Sequence, residues 1–92
     1  MANSVTVDLP DNLTIATVEA LHEQLDPFAM GNQDVVLNGV NVERADTAGL
    51  QMLYAFSQAL KSHNAQMSWQ EPSSVLAEAA KNLGLTEHLA LN

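Results

Sequence analysis

Cysteine is absent from the sequence, so neither a disulfide framework nor a thiolate metal site can form. Basic residues are scarce as well: three lysines and arginines stand against eleven acids, for a formal charge of −8 at pH 7. Affinity for nucleic acid rests on cationic contacts to phosphates, so that partner class is excluded, and adsorption to anionic membranes is disfavoured. An acidic surface of this kind should instead approach a basic patch on another protein. Gly31, Gly39, Gly49 and Gly84 are scattered, and no glycine-rich loop is present to cradle a nucleotide's phosphates. No apolar run approaches the roughly 18 residues of a spanning helix, so no direct membrane insertion is expected. Met1 to Pro10 lacks a basic start followed by an apolar stretch, which speaks against a signal peptide and for a cytoplasmic location.

What is present is enough for one globule. The apolar fraction is 47% of 92 residues, which predicts a single domain over 1–92 with a modest core. Ser4 to Leu9 alternates and is rich in β-branched residues, the pattern of a strand. Pro10-Asp11-Asn12 has turn chemistry, and Leu13-Thr14-Ile15 reads as a short second strand closing a hairpin. Thr17 suits the N-cap of a helix over about 18–26, with Val18, Leu21 and Leu25 on its apolar face and Glu19 and Glu23 on its wet one. Pro27 lies near its end, and Gly31-Asn32 closes the segment. Asp34 to Leu37 reads as a fully buried strand because Val-Val-Leu does not alternate.

A loop is expected over Asn38–Asp46, then the longest helix over Ala48–Ser62. Its apolar stripe is Leu50, Leu53, Ser57 and Leu60, widened by Met52, Ala55, Phe56 and Ala59; Gln51, Tyr54, Gln58 and Lys61 form the wetter stripe. Met67 to Gln70 reads as a strand. Glu71-Pro72-Ser73-Ser74 starts a last helix through Val75, Leu76, Ala79 and Leu83, with Gly84 at C′ and Leu85 folding back. Strands alternating with helices predict an α/β fold: a mixed, mostly parallel sheet of about four strands with packed helices, the first hairpin being its antiparallel part. The core should draw on Val5, Val7, Val35, Leu37, Leu50, Leu53, Phe56 and Leu60.

Catalytic and metal-binding constellations are hard to assemble from these residues. His22, His63 and His88 are too far apart in sequence for a helical metal pair, and read as exposed or helix-end histidines. His88 and Glu87 are adjacent and point apart on a helix, so they make a poor acid/base pair. Glu43 and Asp46 are split by Arg44, and a solvated loop suits them better than a Mg²⁺ site. Thr47 sits at a strand-loop-helix junction, but threonine is a weak nucleophile without a base, and nothing places a histidine near it. No enzymatic activity, cofactor or metal is expected.

One junction stands out. Asp46-Thr47-Ala48-Gly49 opens the longest helix, and either Asp46 or Thr47 suits the capping position. Glycine in a first turn is about 1 kcal/mol worse than alanine, so Gly49 points to a close backbone approach there. The run VVLNGVNVERADTAGLQMLYAF, residues 35–56, resembles the signature of STAS domains, the family of sulfate-transporter domains and anti-sigma factor antagonists. Its usual form is a buried strand, a loop, then Asp-Ser/Thr-x-Gly-Leu at a helix start, here Asp46, Thr47, Ala48, Gly49 and Leu50. LPDNLTIATVEALHEQL and PSSVLAEAAKNLGLTEHL extend the likeness to both ends of the chain. The chain departs from the usual pattern at Asn38, Asn41 and Ala45. The threonine form is similar to a divergent branch that includes chemotaxis-associated proteins and the accessory subunit of a lipid-transport ABC complex.

The resemblance implies a cytoplasmic, bacterial signal-transduction module that works by partner switching. Thr47 would be the phosphoacceptor, and Asp46, Thr47, Gln51 and Tyr54 the partner-binding residues. The partner it implies is an ATP-binding serine/threonine kinase or anti-sigma factor, with a phosphatase resetting the cycle. The alternative it leaves open is a constitutive accessory subunit of an ABC-type lipid transporter, in which Thr47 makes contacts and is never modified.

Overall fold

Alternation places one row of each strand inward, and the computed structural model, which describes residues 4–31, 33–89 and 91, shows where those rows meet. The elements are β1 (Ser4–Asp8), β2 (Asn12–Leu13), α1 (Val18–Ala29), β3 (Asp34–Asn38), β4 (Arg44–Ala45), α2 (Thr47–Ser62), β5 (Met67–Trp69) and α3 (Ser74–Asn82). The main sheet has the order β1-β3-β5 with both pairings parallel. Its register stacks Val5, Val35 and Met67 in one row and Val7, Leu37 and Trp69 in the next. These rows face the helices. Thr6 and Ser68 stand exposed on the opposite face, with Val36 half-buried between them. β3 therefore alternates, which corrects the expectation of a strand buried on both faces: Val36 on the outer row is only half-buried among the described residues.

The expected α/β class, with a mostly parallel sheet, stands; the opening hairpin does not. β2 pairs with β4, in parallel, with Leu13 opposite Ala45. The bonds show why. Leu9 N–H donates to Asn38 O at 3.0 Å, Arg44 N–H to Asp11 O at 3.1 Å, and Asp46 N–H to Leu13 O at 3.1 Å. The pairing of β1 with β3 thus stops before Pro10 and resumes, again in parallel, between β2 and β4. Pro10 and Asp11 separate β1 from β2 without closing a hairpin, and full burial of Leu13 holds β2 in its pairing with β4. β4, inside the segment expected to be a loop, exists only through this pairing.

The helices follow their stripes. α1 continues through Pro27 to Ala29, beyond the expected end, because a proline in the last turn removes one helical bond while Ala29 still reaches the core. Thr17 occupies the N-cap position without capping. Its hydroxyl donates to Asn12 O at 2.7 Å and accepts from Thr14 N–H at 3.2 Å. Gly31 N–H returns to Phe28 O at 3.2 Å, and Asn32, the other half of the expected closing pair, lies outside the described residues.

In α2, Leu50, Leu53, Phe56, Ser57 and Leu60 are buried, but Ala55 points to solvent and does not widen the stripe. α3 is capped by Ser73. It ends in a Schellman motif, with Gly84 at φ 70° and Leu85 N–H on Ala80 O at 2.8 Å. Of the expected core residues only Val5 is half-buried, packed against the rest. Among the described residues no helix is long and apolar enough to cross a membrane.

Candidate functional site

The resumed ladder delivers the chain to the start of α2, and the geometry there begins with Asp46. Its backbone is extended, with φ −118° and ψ 178°, which turns the side chain over the first turn of the helix. Oδ1 accepts the Gly49 N–H at 2.9 Å, so Asp46 is the cap of the two sequence candidates. Oδ2 accepts the Ile15 N–H at 3.0 Å, from a residue 31 positions earlier. Donation from the Gly49 amide first, and from the Ile15 amide second, holds the Asp46 carboxyl below its ordinary value.

Gly49 is required by contact rather than by backbone angle. A Cβ there would lie 2.7 Å from the carbonyl carbon of Leu13, closer than real side chains come. The first turn of α2 is therefore pressed directly onto the backbone of β2, the close approach that a glycine in this position suggested.

With Asp46 as the cap, Thr47 becomes the first helical residue and is exposed. The described residues leave its hydroxyl outside the capping bond. Gln51, one turn on, is exposed too. Tyr54 is half-buried, its ring edge-on to His88 with centroids 5.3 Å apart and planes at 86°. The spacing 47, 51, 54 puts these three on one helix face. Of the four residues singled out by sequence, Thr47 and Gln51 present themselves to solvent. Asp46 is turned inward as a tie, and Tyr54 is partly covered by the C-terminal segment.

Ile15 was missed. It is 69% exposed beside Asp46, although sequence reading put it in a strand. No local signal separates it from Leu13, because the strand's early end depends on pairing with β4. A cavity of about 490 Å³ lies elsewhere, along the second half of α2, between Ser57, Lys61, His88 and Leu89, and shares no residue with the Thr47 surface. No group of His, Asp and Glu among the described residues is arranged to hold a metal ion.

Chemically, the arrangement offers a solvent-facing hydroxyl at a helix N-terminus, where the macrodipole favours negative charge. No acidic residue occupies the first turn of α2, and the Asp46 carboxylate directly precedes Thr47.

No curated protein matches the sequence significantly. A family model does: the one described as "Mlab, STAS domain" matches residues 2–91, nearly the whole chain. The strand-loop-helix junction with its Asp-Thr-x-Gly-Leu sequence, and the match that spans all the elements around it, make this chain a member of the STAS domain family.

Proposed function

We propose that the chain is a phosphorylation-regulated protein-binding module of a bacterial partner-switching or chemotaxis-associated pathway, with Thr47 as its phosphoacceptor. STAS domains are typically binding modules rather than enzymes, and the acidic composition suits a partner with a basic surface. The observation that carries the reading is the division of labour at the start of α2. Asp46 caps the helix, which leaves Thr47 exposed with its hydroxyl, among the described residues, outside the capping bond.

Phosphorylation there would add a charge of about −1.5 to −2 at a helix N-terminus, so the fold would survive. The same charge beside Asp46 would repel and desolvate poorly against a partner that docks an unmodified hydroxyl. The partner is an ATP-binding serine/threonine kinase or anti-sigma factor in the cytoplasm, with a phosphatase restoring the unmodified form. Asp46, Thr47, Gln51 and Tyr54 mark the docking surface.

A second reading has one specific observation in its favour, the Mlab description of the matching family model. In it the chain is a constitutive accessory subunit of an ABC-type lipid transporter, the alternative implied by the threonine form of the motif, and Thr47 is an unmodified contact. Intact-protein mass spectrometry of the chain isolated from its native cells, with site mapping, separates the two. A phosphate on Thr47 that varies with growth condition supports the switch. Unmodified Thr47 in every condition, in a chain that copurifies with an ATPase and a permease, supports the constitutive subunit.

A further inference from the structure

Ile15 is a large apolar side chain held out in water by a stiff piece of backbone. Two residues before it, Leu13 is fully buried, with Gly49 pressed on its carbonyl, which itself accepts Asp46 N–H at 3.1 Å. One residue before it, the Thr14 amide is bound by the Thr17 hydroxyl at 3.2 Å. Its own amide is bound by Asp46 Oδ2 at 3.0 Å. The segment is therefore fixed from both sides while the side chain remains 69% exposed. An apolar group preorganised in this way loses little freedom when it docks, the property of residues that dominate interfaces.

Acidic residues are exposed along the β2–β4 pairing that leads to Ile15. Asp11 and Glu43 are exposed at the same resumed ladder, where Glu43 N–H donates to Asp11 O at 2.7 Å, and Asp46 lies at its end; Arg44 offsets one of these charges. Resting on the binding-module reading, we infer that Ile15 is the apolar anchor of the docking surface, held outward by Asp46 as a positioning residue, for a partner protein whose apolar pocket is rimmed by basic side chains.

Asp46→Ser separates the two tasks of the carboxylate. A serine oxygen can still cap Gly49, but it has no second oxygen for Ile15. Amide hydrogen exchange on the intact chain should show Ile15 protected in the wild type and exchanging at least about tenfold faster in Asp46→Ser, with Gly49 still protected. An Ile15 amide that exchanges freely in the wild type overturns the positioning role whatever the partner is.

The anchor is tested by calorimetric titration with the purified partner protein identified by its binding to the wild-type chain. Ile15→Ala should weaken binding by about tenfold or more with an unchanged Tm, and Ile15→Lys by more still, while Ile15→Val retains it. Binding should also weaken as salt is raised. Wild-type affinity in Ile15→Ala, where Thr47→Glu binds poorly, overturns the anchor and leaves the docking reading intact. Failure of every form to bind a partner removes that reading and the anchor together.

Discussion

At the start of α3, Ser73 accepts the Leu76 amide at 3.1 Å, and the interaction ends there, within one turn of chain. At the start of α2, Asp46 makes the same bond to Gly49 at 2.9 Å, but its second oxygen reaches Ile15 on the far side of the ladder. Both caps satisfy an orphan amide. The carboxylate also joins two parts of the chain that are distant in sequence, and it does so where a glycine lets helix and strand backbones touch. A local cap only starts a helix. The start of α2 also fixes the surface around it, and Thr47 stands exposed on that surface, relieved of the capping role.

Substitutions can break this contrast in graded steps. The largest effect sets the scale: Leu53→Ala removes a fully buried side chain from the face shared by both ends of α2, and should cost about 2–5 kcal/mol in chemical denaturation. A near-zero change would mean that the helix phase is wrong. Gly49→Ala comes next. It forces a methyl group onto the backbone of Leu13, so α2 must move off β2 at about 1–3 kcal/mol, although alanine is the better helix former. A stabilised Gly49→Ala would show that the two backbones are not pressed together.

The caps themselves should differ in size and in pH dependence. Ser73→Ala should cost about 1 kcal/mol. Asp46→Ala should cost more than that, because two amides lose their acceptor. The Asp46 carboxyl is held below its ordinary value when folded, so its contribution is fully present above the unfolded value of about 4 and is lost as pH falls through the folded one. The gap between wild type and Asp46→Asn should therefore narrow below about pH 4. The gap between wild type and Ser73→Ala should stay constant across the same range. Equal pH dependence in the two variants would erase the distinction between the caps. Thr47→Ala should be the smallest change, within about 0.5 kcal/mol of wild type, because the residue is exposed and the capping bond belongs to Asp46.

Much of this was legible in the sequence wherever the relevant spacing is local. Leu50, Leu53, Ser57 and Leu60 recur at helical period and are buried, and Gly84-Leu85 closes α3 as its composition indicates. Asp46 and Thr47 were both visible as capping residues, and contact with β2 explains why Gly49 follows them. What the sequence hid depends on partners far along the chain. Leu13 and Ile15 look alike as strand residues, but β2 ends at Leu13 because β4 offers two residues to pair with, and Ile15 is left outside. The parallel direction of β2 was hidden for the same reason: turn residues at Pro10 and Asp11 signal a bend but not the neighbour beyond it. Ala55 and Tyr54 were misjudged in opposite senses. One lies on the arc of α2 that faces water, and the other is partly covered by His88 from the last segment of the chain.

On the proposed reading, Thr47 belongs to a docking surface and takes no part in holding the fold. Calorimetric titration of the purified partner with wild type, Thr47→Ala and Thr47→Glu, alongside thermal melts of all three, tests it most directly. The three melts should coincide, Thr47→Ala should bind like wild type, and Thr47→Glu should bind about tenfold or more weakly through charge repulsion and desolvation at the interface. Thr47→Glu binding with wild-type affinity, or a loss of binding that tracks a fall in Tm, would contradict it.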